Sequence, residues 1–148
     1  VAWFYGSLNA FPLDRSRPDS KTLRVILDRL RRARAVCIFP EGGLRKGPDS
    51  VVQSRRIRPG TGRIAHMTCA PVIPCVIINS HTYSRVRSWL PLRQTRYGVI
   101  YGPAIDPKLE PEMIEARLID AFVSLHARLS TELAGLSRSS ASDRARGG

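Results

Sequence analysis

Ile114, Leu118, Phe122, Leu125, Leu129, Leu133 and Leu136 recur at steps of three and four. That is the period of one helix face, and no other pattern in the chain restricts its fold as much. The spacing predicts a helix over about 111–136 whose apolar stripe packs back on a sheet as a core face. A coenzyme or partner groove would show the same period, but core packing is the commoner use of such a stripe. Three apolar runs supply the sheet. Residues 35–39 form a continuous run of strand length, the pattern of a strand covered on both faces. Residues 72–78 read as a second buried strand, and 98–102 as a third before the turn at Pro103. Pro18-Asp19-Ser20 starts an amphipathic helix with Leu23, Ile26, Leu27, Leu30 and Ala33 on one face and Arg24, Asp28, Arg31 and Arg32 on the other. A shorter helix is expected over 60–67. The alternation is α/β, within one domain over 1–136. Ser137 onward has no apolar anchor, so 137–148 reads as a disordered tail. With 148 residues, 43% of them hydrophobic, the chain is long enough for one core.

The run at 35–39 delivers Glu41 to a strand end, where ligand sites gather in open α/β sheets. It leads into Phe39-Pro40-Glu41-Gly42-Gly43-Leu44-Arg45-Lys46-Gly47, a glycine-rich turn with one acid and two cations. Gly42 and Gly43 let main-chain N–H groups approach an oxyanion. Arg45 offers a planar fork suited to phosphate oxygens, and Lys46 adds a point charge. A solvated turn has the same composition, so the anion-site reading rests on three companions in fixed order. These are Asn9-Ala10-Phe11-Pro12-Leu13-Asp14-Arg15 upstream, then Ile57-Arg58-Pro59-Gly60 and Ala70-Pro71-Val72-Ile73-Pro74-Cys75-Val76 downstream.

In that order the segments resemble the phospholipid and glycerol acyltransferases, which esterify lysophosphatidate (1-acylglycerol 3-phosphate) or glycerol phosphate. The second block of that family ends in apolar-Asp-Arg, the third is Phe-Pro-Glu-Gly-Thr-Arg, and the fourth is a Pro-flanked apolar strand. The likeness spans about residues 5–80. It implies a glycerol-3-phosphate acyltransferase-like sheet flanked by helices. The acceptor's phosphate would be held by Arg15, Glu41, Gly42, Gly43, Arg45 and Lys46, with Arg58 and Gly60 as further substrate contacts. Glu41 would orient an arginine or accept a substrate hydroxyl hydrogen bond, or else serve as a plain helix or turn cap. For Arg15 the plain alternative is a surface pair with Asp14 or Asp19.

The chain departs from the family pattern in two places. Gly43-Leu44 stands where the commonest form has a single Thr, which leaves Lys46 as a reserve for Arg45. The catalytic His-x-x-x-x-Asp block is missing, since five residues beyond His66, His81 and His126 stand Pro71, Val86 and Thr131. The chain opens on Val1-Ala2-Trp3-Phe4-Tyr5 and is read as N-terminally truncated, with that block ahead of Val1. The competing reading is a degenerate member that binds lipid phosphate without turnover. No catalytic residue is assigned within the chain, which alone is expected to transfer no acyl group. The resemblance implies a thioester of coenzyme A or acyl carrier protein as co-substrate, no cofactor, and work in phospholipid biosynthesis. The expected place is the cytoplasmic face of a membrane, reached peripherally or through an upstream anchor.

Charge points the same way. Net charge is +12, from 24 basic and 12 acidic residues, and no acid occurs between Asp49 and Asp106. Arg55, Arg56, Arg58, Arg63, Arg85, Arg87, Arg93 and Arg96 fall in that stretch. The field attracts anionic headgroups or an acyl donor's phosphates, although a solvated basic face has the same composition. A binding module for anionic lipid or nucleic acid is the alternative from another class. Aromatics at 7% and the absence of an RNA-recognition signature or Cys/His finger argue against nucleic acid. Gly60-Thr61-Gly62-Arg63-Ile64-Ala65 fits a dinucleotide fingerprint in letters only. The residues before it are too polar for a buried strand, and no acid follows at ribose distance. Cys37, Cys69 and Cys75 lack zinc spacing and are expected as buried free thiols, so no metal site is assigned.

Overall fold

The computed structural model describes residues 20–41, 47–79 and 97–146, with side chains through Leu136. The chain divides into two compact units, Val1–Ile38 and Phe39–Gly148.

In the first unit, helix α1 spans Ser20–Arg31, as the Pro-Asp-Ser start predicts. Its intended apolar face is only partly covered. Ile26, Leu27 and Leu30 are half-buried, Leu23 is 41% exposed, and the buried position is Thr22. Ala33 does not extend that face. It adopts φ 56° just past the helix, donating its N–H to the Leu30 carbonyl at 3.0 Å, while the Arg34 N–H reaches the Arg29 carbonyl at 2.9 Å. This is a Schellman closure with alanine in the left-handed position that glycine usually takes.

The strand expected at 35–39 does not form. A continuous apolar run asks for burial, but a strand exists only through its ladder, and among the described residues nothing pairs with this segment. Cys37 and Ile38 are exposed, and Phe39, which begins the second unit, is 72% exposed. The thiols also depart from expectation. Cys37 lies on this unpaired run, and Cys69 is exposed because it closes a helix in the left-handed region, at φ 52°. Cys75 is half-buried.

The second unit is organised around one long helix. A 3₁₀ turn at Gly47–Asp49 leads to the single-turn helix α2, Val51–Ser54, and then to α3, Thr61–Thr68. Strands β1, Cys75–Ile78, and β2, Gly98–Tyr101, pair antiparallel with Val76 opposite Ile100 and Ile77 opposite Val99. Helix α4, Pro111–Arg146, packs on α2, α3 and both strands. Among the described residues the result is a mixed helix and sheet unit with two strands, where the sequence offers three.

Proline explains why β1 starts later than residue 72. Pro74 has no N–H to donate, so the ladder breaks there. On one side of the break Val72 and Ile105 exchange both backbone bonds, at 3.2 and 2.8 Å. On the other, the Pro74 carbonyl accepts the Gly102 N–H at 2.9 Å. Among the described residues the sheet is covered on one face. Val76 is buried toward α4, whereas Ile77, Val99 and Tyr101 are exposed.

The apolar stripe of α4 is the core, as its period requires. Ile114, Leu118, Phe122, Leu125 and Leu129 are all buried, and Ala65, Val51, Val76 and Ile105 close over them from α3, α2, β1 and the β2–α4 connection. Leu133 is partly buried and Leu136 is 59% exposed, so the stripe outlasts its cover. The backbone nevertheless stays helical to Arg146. Extending an existing helix fixes one residue per hydrogen bond and avoids the nucleation cost.

Truncations along the stripe should therefore be unequal. Ile114, wholly shielded, is expected to cost about 2–5 kcal/mol when changed to alanine. Leu136→Ala is expected to stay within about 0.5 kcal/mol. Urea unfolding of the two variants checks this, and equal losses would mean that the stripe is not the core.

Candidate functional site

Of the residues assigned to phosphate binding, Glu41 falls among the described ones, as do the further substrate contacts Arg58 and Gly60. Arg15, Gly42, Gly43, Arg45 and Lys46 lie outside them, as does the whole apolar-Asp-Arg block. The visible part shows how two of the motif segments are joined. The Pro40 carbonyl accepts the Arg58 N–H at 2.8 Å, tying Phe39-Pro40-Glu41 to Ile57-Arg58-Pro59-Gly60 by a main-chain bond. Immediately beyond it, Glu41 Oε1 accepts the Val51 N–H at 2.7 Å.

That second bond has a clear cause. An α-helix begins with N–H groups that no carbonyl of its own can satisfy. Ser50 is the cap residue of α2, but its hydroxyl donates to the Gly47 carbonyl at 2.8 Å and caps nothing. Glu41 fills the vacancy with a part-buried carboxylate. The cap role weighed for Glu41 from the sequence is thus observed, and it ties the residue just before Gly42 to the start of α2.

Helix α3 repeats the device. Gly60 is its cap residue, with φ 124° and no side chain to offer. Glu115 Oε1, on α4, accepts the Gly60 N–H at 2.8 Å and the Gly62 N–H at 3.2 Å. A carboxylate that receives two N–H groups at a helix start also gains from the helix dipole. The Gly60 amide is therefore committed within the protein, and Gly60 contributes backbone shape. Gly62 is fixed by space: a Cβ there would lie 2.1 Å from the Pro111 carbonyl oxygen. His66, on the same helix, places Nδ1 2.9 Å from the Leu109 carbonyl, an arrangement that calls for the proton on Nδ1.

The sequence reading did not single out Glu115. An acid in the first turns of a helix is ordinary, so nothing about Glu115 itself marks it. The signal lay at the other end of the bond: Gly60-Thr61-Gly62 opens a helix with no side-chain cap, which demands an acceptor from elsewhere. Around this frame the surface is basic. Arg56, Arg58 and Arg63 are exposed, while Arg55, left-handed at φ 51°, pairs with Asp120 of α4. Among the described residues no helix is long and apolar enough to cross a membrane.

The acyltransferase family model matches residues 1–78, more than half of the 148-residue chain, and the chain belongs to that family. Its class of chemistry is acyl transfer. No curated protein and no solved structure matches the chain.

The two borrowed caps make separable predictions. Glu115→Ala leaves two N–H groups without their acceptor and is expected to cost about 1.5–3 kcal/mol. Glu115→Gln keeps an oxygen in place and should lose less. Glu41→Ala is expected to cost about 0.5–2 kcal/mol, the range for a lost helix cap, with Glu41→Gln again milder. Denaturant unfolding combined with amide exchange at Val51, Gly60 and Gly62 reads both. Unchanged exchange in the alanine variants would contradict the bonds.

Proposed function

We propose that this chain binds the acceptor of an acyltransferase that moves a fatty acyl group from a thioester donor to lysophosphatidate, at the cytoplasmic face of a membrane. The observation that carries the reading is the seating of Glu41 on the start of α2, with Pro40 bonded to Arg58. Together these tie the residues that lead into the 42–46 segment to α2 and to the Arg58 segment. A phosphomonoester carries nearly two charges and calls for several donors, which Arg45, Lys46 and the Gly42-Gly43 main chain have the chemistry to supply. Block order alone adds Arg15 to this set. Arg58, exposed, adds to the positive field that would attract an anionic headgroup. The donor would be a thioester of coenzyme A or acyl carrier protein. The role of these residues is to position the acceptor, and the rate gain available to them is one of proximity.

Calorimetric titration with lysophosphatidate below its aggregation concentration, against the neutral monoacylglycerol of equal chain length, tests the reading. Binding is expected for the phosphorylated lipid and not for the neutral one. Arg45→Ala should weaken it by about 1.5–3 kcal/mol, the range for a hydrogen bond to a charged group, and Arg15→Ala should do the same. Equal binding of both lipids, or full affinity in Arg45→Ala, would overturn the assignment. Tighter binding of duplex or single-stranded nucleic acid than of anionic vesicles would favour a basic binding module instead.

A further inference from the structure

An antiparallel sheet with one face in water normally alternates, apolar inward and polar outward. The β1–β2 pair departs from that rule. Val76 and its partner Ile100 pack toward the α4 stripe, so the alternate positions Cys75, Ile77, Val99 and Tyr101 share the outer face. Ile73 continues this row beyond the ladder break at Pro74. Apart from half-buried Cys75, these side chains are between 41% and 68% exposed. They adjoin one another across the register, Cys75 against Tyr101 and Ile77 against Val99. The result is one apolar patch, unlike the single surface hydrophobes that any protein carries.

Charge decides what such a patch can meet. Residues 70–79 and 97–105, which hold both strands and their flanks, contain no Asp, Glu, Lys, Arg or His, so covering the face strips water from no ion. In sequence, Arg85, Arg87, Arg93 and Arg96 stand between Asn79 and Tyr97 with no acid among them. Ile78 and Gly98 are paired, which ties those arginines covalently to one end of the sheet. A second copy of the chain would bring another net charge of +12 to the contact, and like charge opposes self-association. An anionic bilayer reverses that sign, attracting the cations while its acyl region takes up apolar side chains. The Tyr101 ring, apolar with a hydroxyl at its tip, suits the headgroup level.

We infer that the outer face of the β1–β2 sheet docks on an anionic lipid bilayer, with Ile77, Val99 and Tyr101 entering the boundary between headgroups and acyl chains. This gives a surface to the membrane placement proposed above, and it does not rest on the acceptor assignment.

Sedimentation with vesicles of phosphatidylcholine, alone or mixed with phosphatidylglycerol, tests the docking without offering any phosphomonoester. Binding is expected to the mixed vesicles, and weaker binding to phosphatidylcholine alone. Ile77→Thr and Val99→Thr keep a β-branched side chain in the strand and should each weaken binding about four- to fifteenfold, the worth of one or two buried methylenes. Met113 is a comparably exposed apolar residue of α4, which packs on the opposite face of the sheet, and Met113→Gln should change binding by less than about twofold. Tyr101→Trp and Met113→Trp, read by fluorescence as differences from the unaltered chain, give a second measure that does not depend on lost binding. Mixed vesicles whose phosphatidylcholine is brominated near the headgroup end of its chains should quench the first and not the second. Lysophosphatidate binding below its aggregation concentration should be unchanged in the threonine variants, so failure of the docking and failure of the acceptor reading are told apart. Absence of vesicle binding would overturn the inference, as would full binding in both threonine variants, equal quenching at both positions, or a dimer in solution that Ile77→Thr and Val99→Thr dissociate.

Discussion

Burial of one helical stripe governs the second unit. Ile114 is fully shielded and Leu118 nearly so, and with Phe122, Leu125 and Leu129 they form the surface on which α2, α3 and the two-stranded sheet all rest. Each fully buried side chain of this size contributes about 1.5–3 kcal/mol. No other described element has a comparable run. The short helices are too brief to persist alone, and a two-stranded sheet is marginal without a packed face. Their positions follow from α4, and so does the frame around the motif segments.

The same helix reaches into the acyltransferase motifs through a polar contact. Glu115 neighbours the fully buried Ile114 in sequence, and its carboxylate takes the Gly60 and Gly62 amides. Glu41 performs the matching service for α2 from the other direction. Neither short helix is capped by a side chain of its own cap residue, so each start is held by a glutamate from outside the helix, Glu41 ten residues before Val51 and Glu115 on α4. The family match ends at residue 78, whereas α4 begins at Pro111. A segment outside the match thus supports a segment within it.

Strong periodicity was readable in advance. The α4 stripe, α3 and the strand at 98–102 appear close to where their patterns place them, because each pattern reports a face that must be buried. The residues at 35–39 were misread as a strand for a physical reason: hydrophobicity asks for cover, while a strand also needs a partner ladder, and composition says nothing of that. Ala33 was misread as part of a helix face because alanine favours helices and only the backbone bonds of Ala33 and Arg34 reveal the left-handed closure. Of the roles the sequence offers for Glu41, the structure shows the cap. Glu115 was not legible, since its function depends on a long-range contact with glycines that carry no side chain to announce it.

Amide resonances of the motif segments under titration with glycerol 3-phosphate give the most direct test of acceptor binding at the pinned glycine turn. The expected result is a saturable shift of the Gly42, Gly43 and Arg45 amides, accompanied by Val51 because Glu41 links it to the turn, with the α4 stripe undisturbed. Shifts absent from residues 42–51 and concentrated elsewhere would contradict it.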